Sequence, residues 1–143
     1  MLQIERARGG DLDAVRRLLT AHDLPLDGLA DHVDTLLVAR RDGVVVGSAA
    51  LEVYRDGALL RSLAVAPELH GRGLGCDLTD AALQMARDLD VADVYLLTTT
   101  AERFFPKFGF RRIDREDVPA SVRESVEFRS ACPSSAVVMA KTL

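Results

Sequence analysis

The middle of the chain, residues 59–89, constrains the fold more than any other stretch. Residues 59–65 are an apolar run with the length of a buried strand, and Pro67 ends it. From residue 74 to residue 89, apolar side chains recur at helical spacing. Between the two lie three glycines at alternate positions, Gly71, Gly73 and Gly75. The pattern predicts a strand, a glycine-rich turn and a helix.

Such a turn is suited to hold an anion. Glycine lets the backbone approach a ligand closely, and the free N–H groups of the first helical turn attract phosphate. Arg72 adds a positive charge to the loop. The spacing excludes two common phosphate motifs: Leu74-Gly75-Cys76 is not the Gly-Lys-Ser/Thr of a P-loop, and the third glycine of a dinucleotide fingerprint falls on Cys76.

The loop resembles the pyrophosphate loop of the GNAT acetyltransferase superfamily, Q/R-x-x-G-x-G/A. It is read here as His70-Gly71-Arg72-Gly73-Leu74-Gly75, with histidine in place of glutamine or arginine at the first position. A departure there matters little if the loop works through its backbone amides. The alternative interpretation is a helix cap with tight packing and no ligand.

The flanking stretches predict a sheet that begins with antiparallel strands. Two Arg-Asp-Gly turns separate three runs with strand character, residues 35–40, 44–54 and 58–65. Further strands are predicted at 2–6, at 94–98, from 111 and at 136–140. Helices are predicted at 11–21, near 29–33, at 101–108 with Thr99-Thr100 as the cap, and at 119–128. Because a helix crosses between them, the strands at 58–65 and 94–98 are expected to run parallel.

The second half of the chain sharpens the resemblance. Residues 96–110, L-L-T-T-T-A-E-R-F-F-P-K-F-G-F, are similar to the acetyltransferase domain of N-acetylglutamate synthases. Three segments resemble the small N-acetyltransferases encoded in arsenic-resistance operons: T-T-T-A-E-x-F-F, V-P-A-x-x-R and C-P-x-S-A-V. The resemblance implies an α/β (α+β) GNAT fold, a mixed, mostly antiparallel twisted sheet of about six or seven strands with helices on both faces. A single domain over residues 1–143 is expected.

The resemblance also implies acetyl-CoA as the cofactor. Backbone N–H groups of the loop would hold the pyrophosphate, and residues 63–65 would pair with the pantetheine arm like an added strand. A main-chain N–H at Leu63 or Val65 would donate to the thioester oxygen. Phe105 stands where many family members carry the tyrosine that protonates the thiolate. The expected cofactor contacts are Leu63, Ala64, Val65, His70, Gly71, Arg72, Gly73, Leu74, Gly75, Cys76 and Phe105.

The general base is not fixed by the residues. Many GNAT enzymes place a glutamate on the strand before the loop, and that position is Leu59 here. Glu52 on the neighbouring strand is the best substitute, acting through water, with an exposed strand carboxylate as the alternative interpretation. His70, Glu102 or no base at all also remain open.

Arg61 is the main candidate for substrate recognition. It is a charged residue in an apolar strand, where alternation would place it on one face with Leu59, Leu63 and Val65. An unpaired buried arginine is costly, and arginine binds carboxylates with two parallel hydrogen bonds. We expect Arg61 to bind the acid group of an amino-acid-like substrate, or else to pair internally with Glu52 or another acid. The resemblance also places Thr98, Thr99, Ser134 and Ser135 at the ends of adjacent strands, where their hydroxyls would contact the substrate.

Charge and cysteine content narrow the function. A net charge of −4 with scattered basic residues argues against nucleic-acid and anionic-membrane binding, and two cysteines without ligand-like spacing argue against a metal site. We expect a cytoplasmic monomer or homodimer. The resemblance implies that it acetylates the amine of a small amino-acid-like compound, with detoxification of arsenic- or phosphorus-containing amino acids as its role. Alternatives are glutamate acetylation, a non-catalytic acetyl-CoA-binding regulator and an interaction module without a cofactor.

Overall fold

The computed structural model describes residues 2–99, 101–131 and 136–143. Within these residues, seven strands form one sheet: β1 (Leu2–Arg6), β2 (Leu36–Arg41), β3 (Val44–Tyr54), β4 (Gly57–Val65), β5 (Asp93–Thr98), β6 (Arg111–Ile113) and β7 (Val137–Thr142). Their order across the sheet is β1-β2-β3-β4-β5-β7-β6. Only β4 and β5 are parallel neighbours, and the other five pairings are antiparallel. The mixed, mostly antiparallel sheet predicted from the sequence is confirmed.

Helices cover both faces of the sheet. They are α1 (Leu12–Ala21), α2 (Leu74–Asp88) and α3 (Ala120–Arg123), with longer 3-10 segments at Leu29–Thr35 and Phe105–Phe108 and a π turn at Glu127–Ala131. Helix α2 packs with residues such as Leu37 and Leu51. The neighbouring residues Leu36 and Val38 point the other way and pack with α1, because successive side chains of a strand alternate between faces.

One predicted face is wrong, and a bulge in β4 is the reason. The bulge lies between the pairs Arg61–Ala50 and Ala64–Ser48. Two residues of β4 lie there opposite a single residue of β3. Ser62 takes φ +60° there, and its carbonyl accepts a hydrogen bond from Ser48 Oγ at 2.7 Å. An extra residue breaks the alternation of side chains. Before the bulge, Leu59 packs with α3.

Past the bulge, the end of β4 faces the opposite way. Leu63 and Val65 pack against the cluster that contains α2, whereas Ala64 packs with α1. The predicted common face of Leu59, Arg61, Leu63 and Val65 is thus split at Ser62. The bulge leaves Arg61 on one side of the sheet and turns Leu63 and Val65 toward the glycine loop.

Two predicted helices are shorter than expected. In the segment 101–108 only Phe105–Phe108 is helical, as a 3-10 turn, because Pro106 cannot donate a backbone hydrogen bond. Phe104 is at the N-cap of this turn and makes no side-chain cap hydrogen bond. Thr98 Oγ1 accepts from Ala101 N–H at 2.9 Å, ahead of the turn. In the segment 119–128, α3 ends after one turn at Arg123.

No helix in the described part of the chain is long and apolar enough to cross a membrane. No group of three or more His, Cys, Asp or Glu side chains there is arranged to hold a metal ion.

Candidate active site

The site lies where β4 and β5 separate. The two strands pair only at Ala58–Val94 and Leu59–Tyr95. Beyond these pairs a cavity of about 300 Å³ opens between them, lined by the ends of both strands. A second cavity of about 800 Å³ runs along the end of β4 to the start of α2. We call the first the acceptor cavity and the second the cofactor groove.

The glycine loop forms the floor of the cofactor groove. Gly71 and Gly73 have φ of +79° and +82°, a conformation that other residues rarely adopt. Helix α2 follows, and its first hydrogen bond runs from Asp77 N–H to Gly73 O. The N–H groups of residues 74–76 therefore have no partner within the helix and are available to an anion. Nothing lies within 4 Å of a side-chain position at Gly71 or Gly73, so the groove has room for a pyrophosphate.

Most predicted cofactor contacts line this groove. Of the described residues, those that do include Leu63, Ala64, Val65, His70, Gly71, Gly73, Leu74, Gly75 and Cys76. Two predicted contacts lie elsewhere: the side chain of Arg72 is exposed and outside the lining, and Phe105 lines the acceptor cavity. The aromatic ring in the groove is that of Phe104. The residues present fit a molecule with a pyrophosphate and an extended arm.

The acceptor cavity contains most of the predicted substrate residues. Arg61, Thr98 and Thr99 line it. The other two, Ser134 and Ser135, lie outside the described residues. His22, Leu63 and Ala101 line both the acceptor cavity and the cofactor groove. These three residues mark the junction of the two cavities, where a thioester carbonyl and an attacking amine would have to meet.

Arg61 holds a buried ion-pair network. Its side chain is fully buried, with Nη1 2.6 Å from Glu52 Oε2 and Nε 3.1 Å from Glu127 Oε2. The guanidinium also donates to the carbonyl oxygens of Asp27 at 2.6 Å and Pro25 at 3.1 Å. The internal pair with Glu52 that the sequence left open as an alternative is therefore present. These contacts hold the guanidinium in one orientation at the wall of the cavity.

Glu52 lies behind this wall. Its carboxylate is 1% exposed and lines neither cavity. Tyr54 donates its hydroxyl proton to Oε1, and His32 Nε2 lies 3.4 Å from the same oxygen. Burial, together with the Glu52 hydrogen bond, raises the pKa of Tyr54 above its usual value. The exposed carboxylate considered from the sequence is excluded, while the catalytic role of Glu52 stays a prediction.

Sequence reasoning missed several lining residues. Glu127 and His22 line the acceptor cavity, and Arg103 and Lys107 line the cofactor groove. Lys107 Nζ lies 4.2 Å from the centre of the Phe104 ring. His22 and Glu127 belong to no motif with a recognisable spacing, whereas Arg103 and Lys107 fall within the segment 96–110, whose resemblance assigned no role to either side chain. Only the fold brings them to the cavities.

Comparison with known proteins agrees with this geometry. Residues 32–112 match the family model described as "Acetyltransferase (GNAT) domain". The chain is 35% identical over 129 residues to the amino-acid acetyltransferase of Mycobacterium tuberculosis, covering 83% of this chain and 74% of that protein. It is 26% identical to an uncharacterised N-acetyltransferase of Chlorobaculum tepidum, covering 98% and 96% of the two chains.

Solved structures share the whole fold. A Mycobacterium tuberculosis protein in complex with CoA superposes with a TM-score of 0.84 at 30% identity, over 99% of both chains. The N-acetylglutamate synthase of Neisseria gonorrhoeae, complexed with coenzyme A and N-acetyl-glutamate, has a TM-score of 0.86 at 22% identity, and this chain covers 35% of it. Acetyl-CoA is the acetyl donor of the family, and the groove described above fits it. The chain belongs to the GNAT acetyltransferase family and is an N-acetyltransferase.

Proposed function

We propose that the protein transfers the acetyl group of acetyl-CoA to the α-amine of a small amino-acid-like acceptor held in the acceptor cavity. The observation that carries this proposal is a buried arginine, Arg61, at the wall of a cavity that opens onto the cofactor groove. A volume of about 300 Å³ is at the small end for ligand sites. The chain also resembles a protein named as an amino-acid acetyltransferase.

The charges around the acceptor cavity suit an α-amino acid. Arg61 carries the only guanidinium or ammonium group among the described residues of the lining, and Glu127 and Asp23 carry carboxylates. An acceptor carboxylate at Arg61 would take the place that Glu127 Oε2 has on Nε. The Glu127 carboxylate, which also lines the cavity, would then face the acceptor's ammonium group. One cationic side chain suits the single carboxylate of an α-amino acid, and the lining carboxylates suit its amine.

This balance bears on which amino acid is acetylated. Glutamate brings a second carboxylate, for which the described lining has no second arginine or lysine. Residues 132–135 are Cys-Pro-Ser-Ser and add no positive charge. The charge balance alone favours an acceptor whose α-carboxylate is its single acid group. An arsenic- or phosphorus-containing amino acid would bring a second acid group as glutamate does, and we propose it as a further candidate, with detoxification as the role, on the resemblance of T-T-T-A-E-x-F-F and C-P-x-S-A-V to the arsenic-operon enzymes. The place of action we propose is the cytoplasm, where acetyl-CoA is available.

Two other functions are distinguishable from this one. Glutamate acetylation is favoured by the likeness to the amino-acid acetyltransferase of Mycobacterium tuberculosis and predicts a preference for glutamate. A regulator that binds acetyl-CoA without catalysis is favoured by the lack of a tyrosine at Phe105 and predicts binding without turnover.

The test is release of CoA thiol across a panel of acceptors. The panel contains glutamate, the other proteinogenic amino acids, and phosphinate and arsenical analogues. Arg61→Lys keeps the positive charge but loses the bidentate hydrogen bonding of the guanidinium. The KM for the acceptor should therefore rise at least tenfold, while the KM for acetyl-CoA is unchanged. The control is Arg112→Lys, on a side chain that is 72% exposed. Thermal stabilisation by acetyl-CoA without any thiol release would overturn the proposal.

A further inference from the structure

We propose that His22 is the general base of the transfer, with Nε2 as the atom that accepts the proton from the acceptor amine. This inference rests on the proposed function and deepens it. His22 follows α1 directly and is half-buried. It is one of the three described residues that line both cavities. Leu63 and Ala101, the other two, have no side chain that can accept a proton.

The hydrogen bonds of the ring fix which nitrogen is basic. Nδ1 of His22 lies 2.9 Å from Leu18 O. A carbonyl oxygen can only accept a hydrogen bond, so Nδ1 carries the ring proton. In the neutral ring Nε2 then has the lone pair. The same argument assigns the proton of His70 to its Nε2, which lies 2.8 Å from Val65 O.

Among the described residues, the hydrogen-bond partner of His22 Nε2 is His70 Nε2 at 3.5 Å, which is long for a hydrogen bond. No other described residue engages the lone pair more strongly. The carbonyl bonded to Nδ1 belongs to the last turn of α1, so the ring is anchored to the helix at that nitrogen. The ring can therefore hold a proton without losing its orientation.

Glu52, the other candidate base, has neither an unoccupied oxygen nor access to the cavities. Each of its oxygens already faces a donor, Tyr54 on Oε1 and Arg61 on Oε2. It lines neither cavity, so an acceptor amine could reach it only through other groups. Between the two residues, His22 has both the access and the vacant acceptor atom that a general base needs.

The proton balance of the transfer is simple. The amine nitrogen forms a bond to the acetyl carbon, the carbon–sulfur bond breaks with its electrons staying on sulfur, and the nitrogen of an ammonium acceptor loses two protons. His22 Nε2 takes the first and passes it to solvent through the exposed edge of the ring. The second ends on the thiolate sulfur. No oxidant, metal or further reactant is needed.

The decisive variant is His22→Gln. Glutamine can still donate to Leu18 O but cannot accept a proton at neutral pH. We expect kcat to fall at least 100-fold, within the range for loss of a general base, with the KM for acetyl-CoA and the melting temperature unchanged. Free imidazole should restore part of the activity of His22→Ala. The matched comparison is His32→Gln, because His32 lines neither cavity but lies 3.4 Å from Glu52 Oε1, so a loss of similar size there would point to the Glu52–Arg61 pair and not to His22.

A second readout does not depend on turnover. In ring-¹⁵N-histidine NMR of the protein without ligand, neutral His22 should show the less common Nδ1–H tautomer and His70 the Nε2–H tautomer. An Nε2–H tautomer at His22 would overturn the assignment of the basic atom. So would a His22→Gln enzyme within tenfold of the wild-type kcat, or a loss that imidazole does not repair.

Failure of the two proposals can be told apart. If the wild-type protein acetylates no amino acid in the panel, the proposed function fails and the role of His22 falls with it. If the wild-type protein is active and His22→Gln is equally active, only the role of His22 is overturned.

Discussion

Arg61 and Glu52 face each other on adjacent strands, with Nη1 of the guanidinium 2.6 Å from Oε2 of the carboxylate and neither side chain more than 1% exposed. A pair this deeply buried adds little net stability, because both charges have lost their hydration. Removing one partner is nevertheless costly, since the other is left in a dry environment. The pair therefore fixes the position of Arg61 at the acceptor cavity more than it strengthens the fold.

Glu52→Gln separates a structural role from a catalytic one. Because glutamine keeps the size and loses the charge facing Arg61, we expect the free energy of unfolding to fall by about 2–3 kcal/mol. We expect kcat to stay within tenfold of the wild type. Urea denaturation and thiol release measure the two quantities. Glu102→Gln is the control, because its side chain is 55% exposed. Normal stability with a 100-fold lower kcat would identify Glu52 as the base.

Gly73→Ala tests the loop. At φ +82° an alanine costs roughly 1–2 kcal/mol, and relief of that strain would turn the N–H groups at the start of α2 away from the groove. We expect CoA to bind at least tenfold more weakly by calorimetry. Gly43→Ala is a matched control, since Gly43 has the same φ, and nothing lies within 4 Å of the added carbon at either position. Equal CoA affinity of the two variants would contradict an anion-binding role for the loop.

The Asp11–Arg40 pair makes stability depend on pH. Hydrogen bonds from Arg40 hold the pKa of Asp11 below its usual value. A carboxylate with a lowered pKa stabilises the fold above its unfolded pKa of about 3.9, and this contribution disappears as pH falls through the folded value. Asp11→Asn should therefore be less stable by about 2 kcal/mol at pH 7. Its unfolding free energy should approach that of the wild type below about pH 4.

Denaturation at several pH values checks this. Asp13→Asn is the control, because Asp13 is 82% exposed and lies 3.4 Å from Arg16. An exposed pair contributes less than about 1 kcal/mol, so this variant should match the wild type throughout. A difference between Asp11→Asn and the wild type that persists unchanged at acid pH would show that the charge of Asp11 is not the cause.

Local sequence patterns predicted the bounds of the central strands and of helix α2 well. The strand at Val44–Tyr54 has the predicted bounds, because an apolar run between two Arg-Asp-Gly turns has few alternatives. The glycine loop and α2 also lie where expected. These features depend on neighbouring residues, whose properties can be read directly from the chain.

The site depended on contacts between distant residues. Nothing in the sequence signals the extra residue at Ser62, which turns Leu63 and Val65 toward the groove. Nor does it signal that Glu127 reaches Arg61 or that His22 lies near His70. Each of these contacts joins residues from separate elements. They exist only once the sheet has brought those elements together.

Lys107→Ala tests whether the groove attracts phosphate through side chains as well as through the loop. Lys107 lines the groove with its ammonium group 4.2 Å from the centre of the Phe104 ring, and loss of one partly exposed charge should weaken CoA binding by about 1 kcal/mol, or roughly fivefold. The salt dependence of the dissociation constant should become shallower, because one charge fewer is screened. Calorimetry between low and physiological ionic strength measures both effects. The control is Lys141→Ala, at the chain's other lysine, which lies on β7 and outside the groove. If both variants bind CoA with the same affinity and salt dependence, Lys107 has no part in holding the phosphates and the backbone of the loop acts without it.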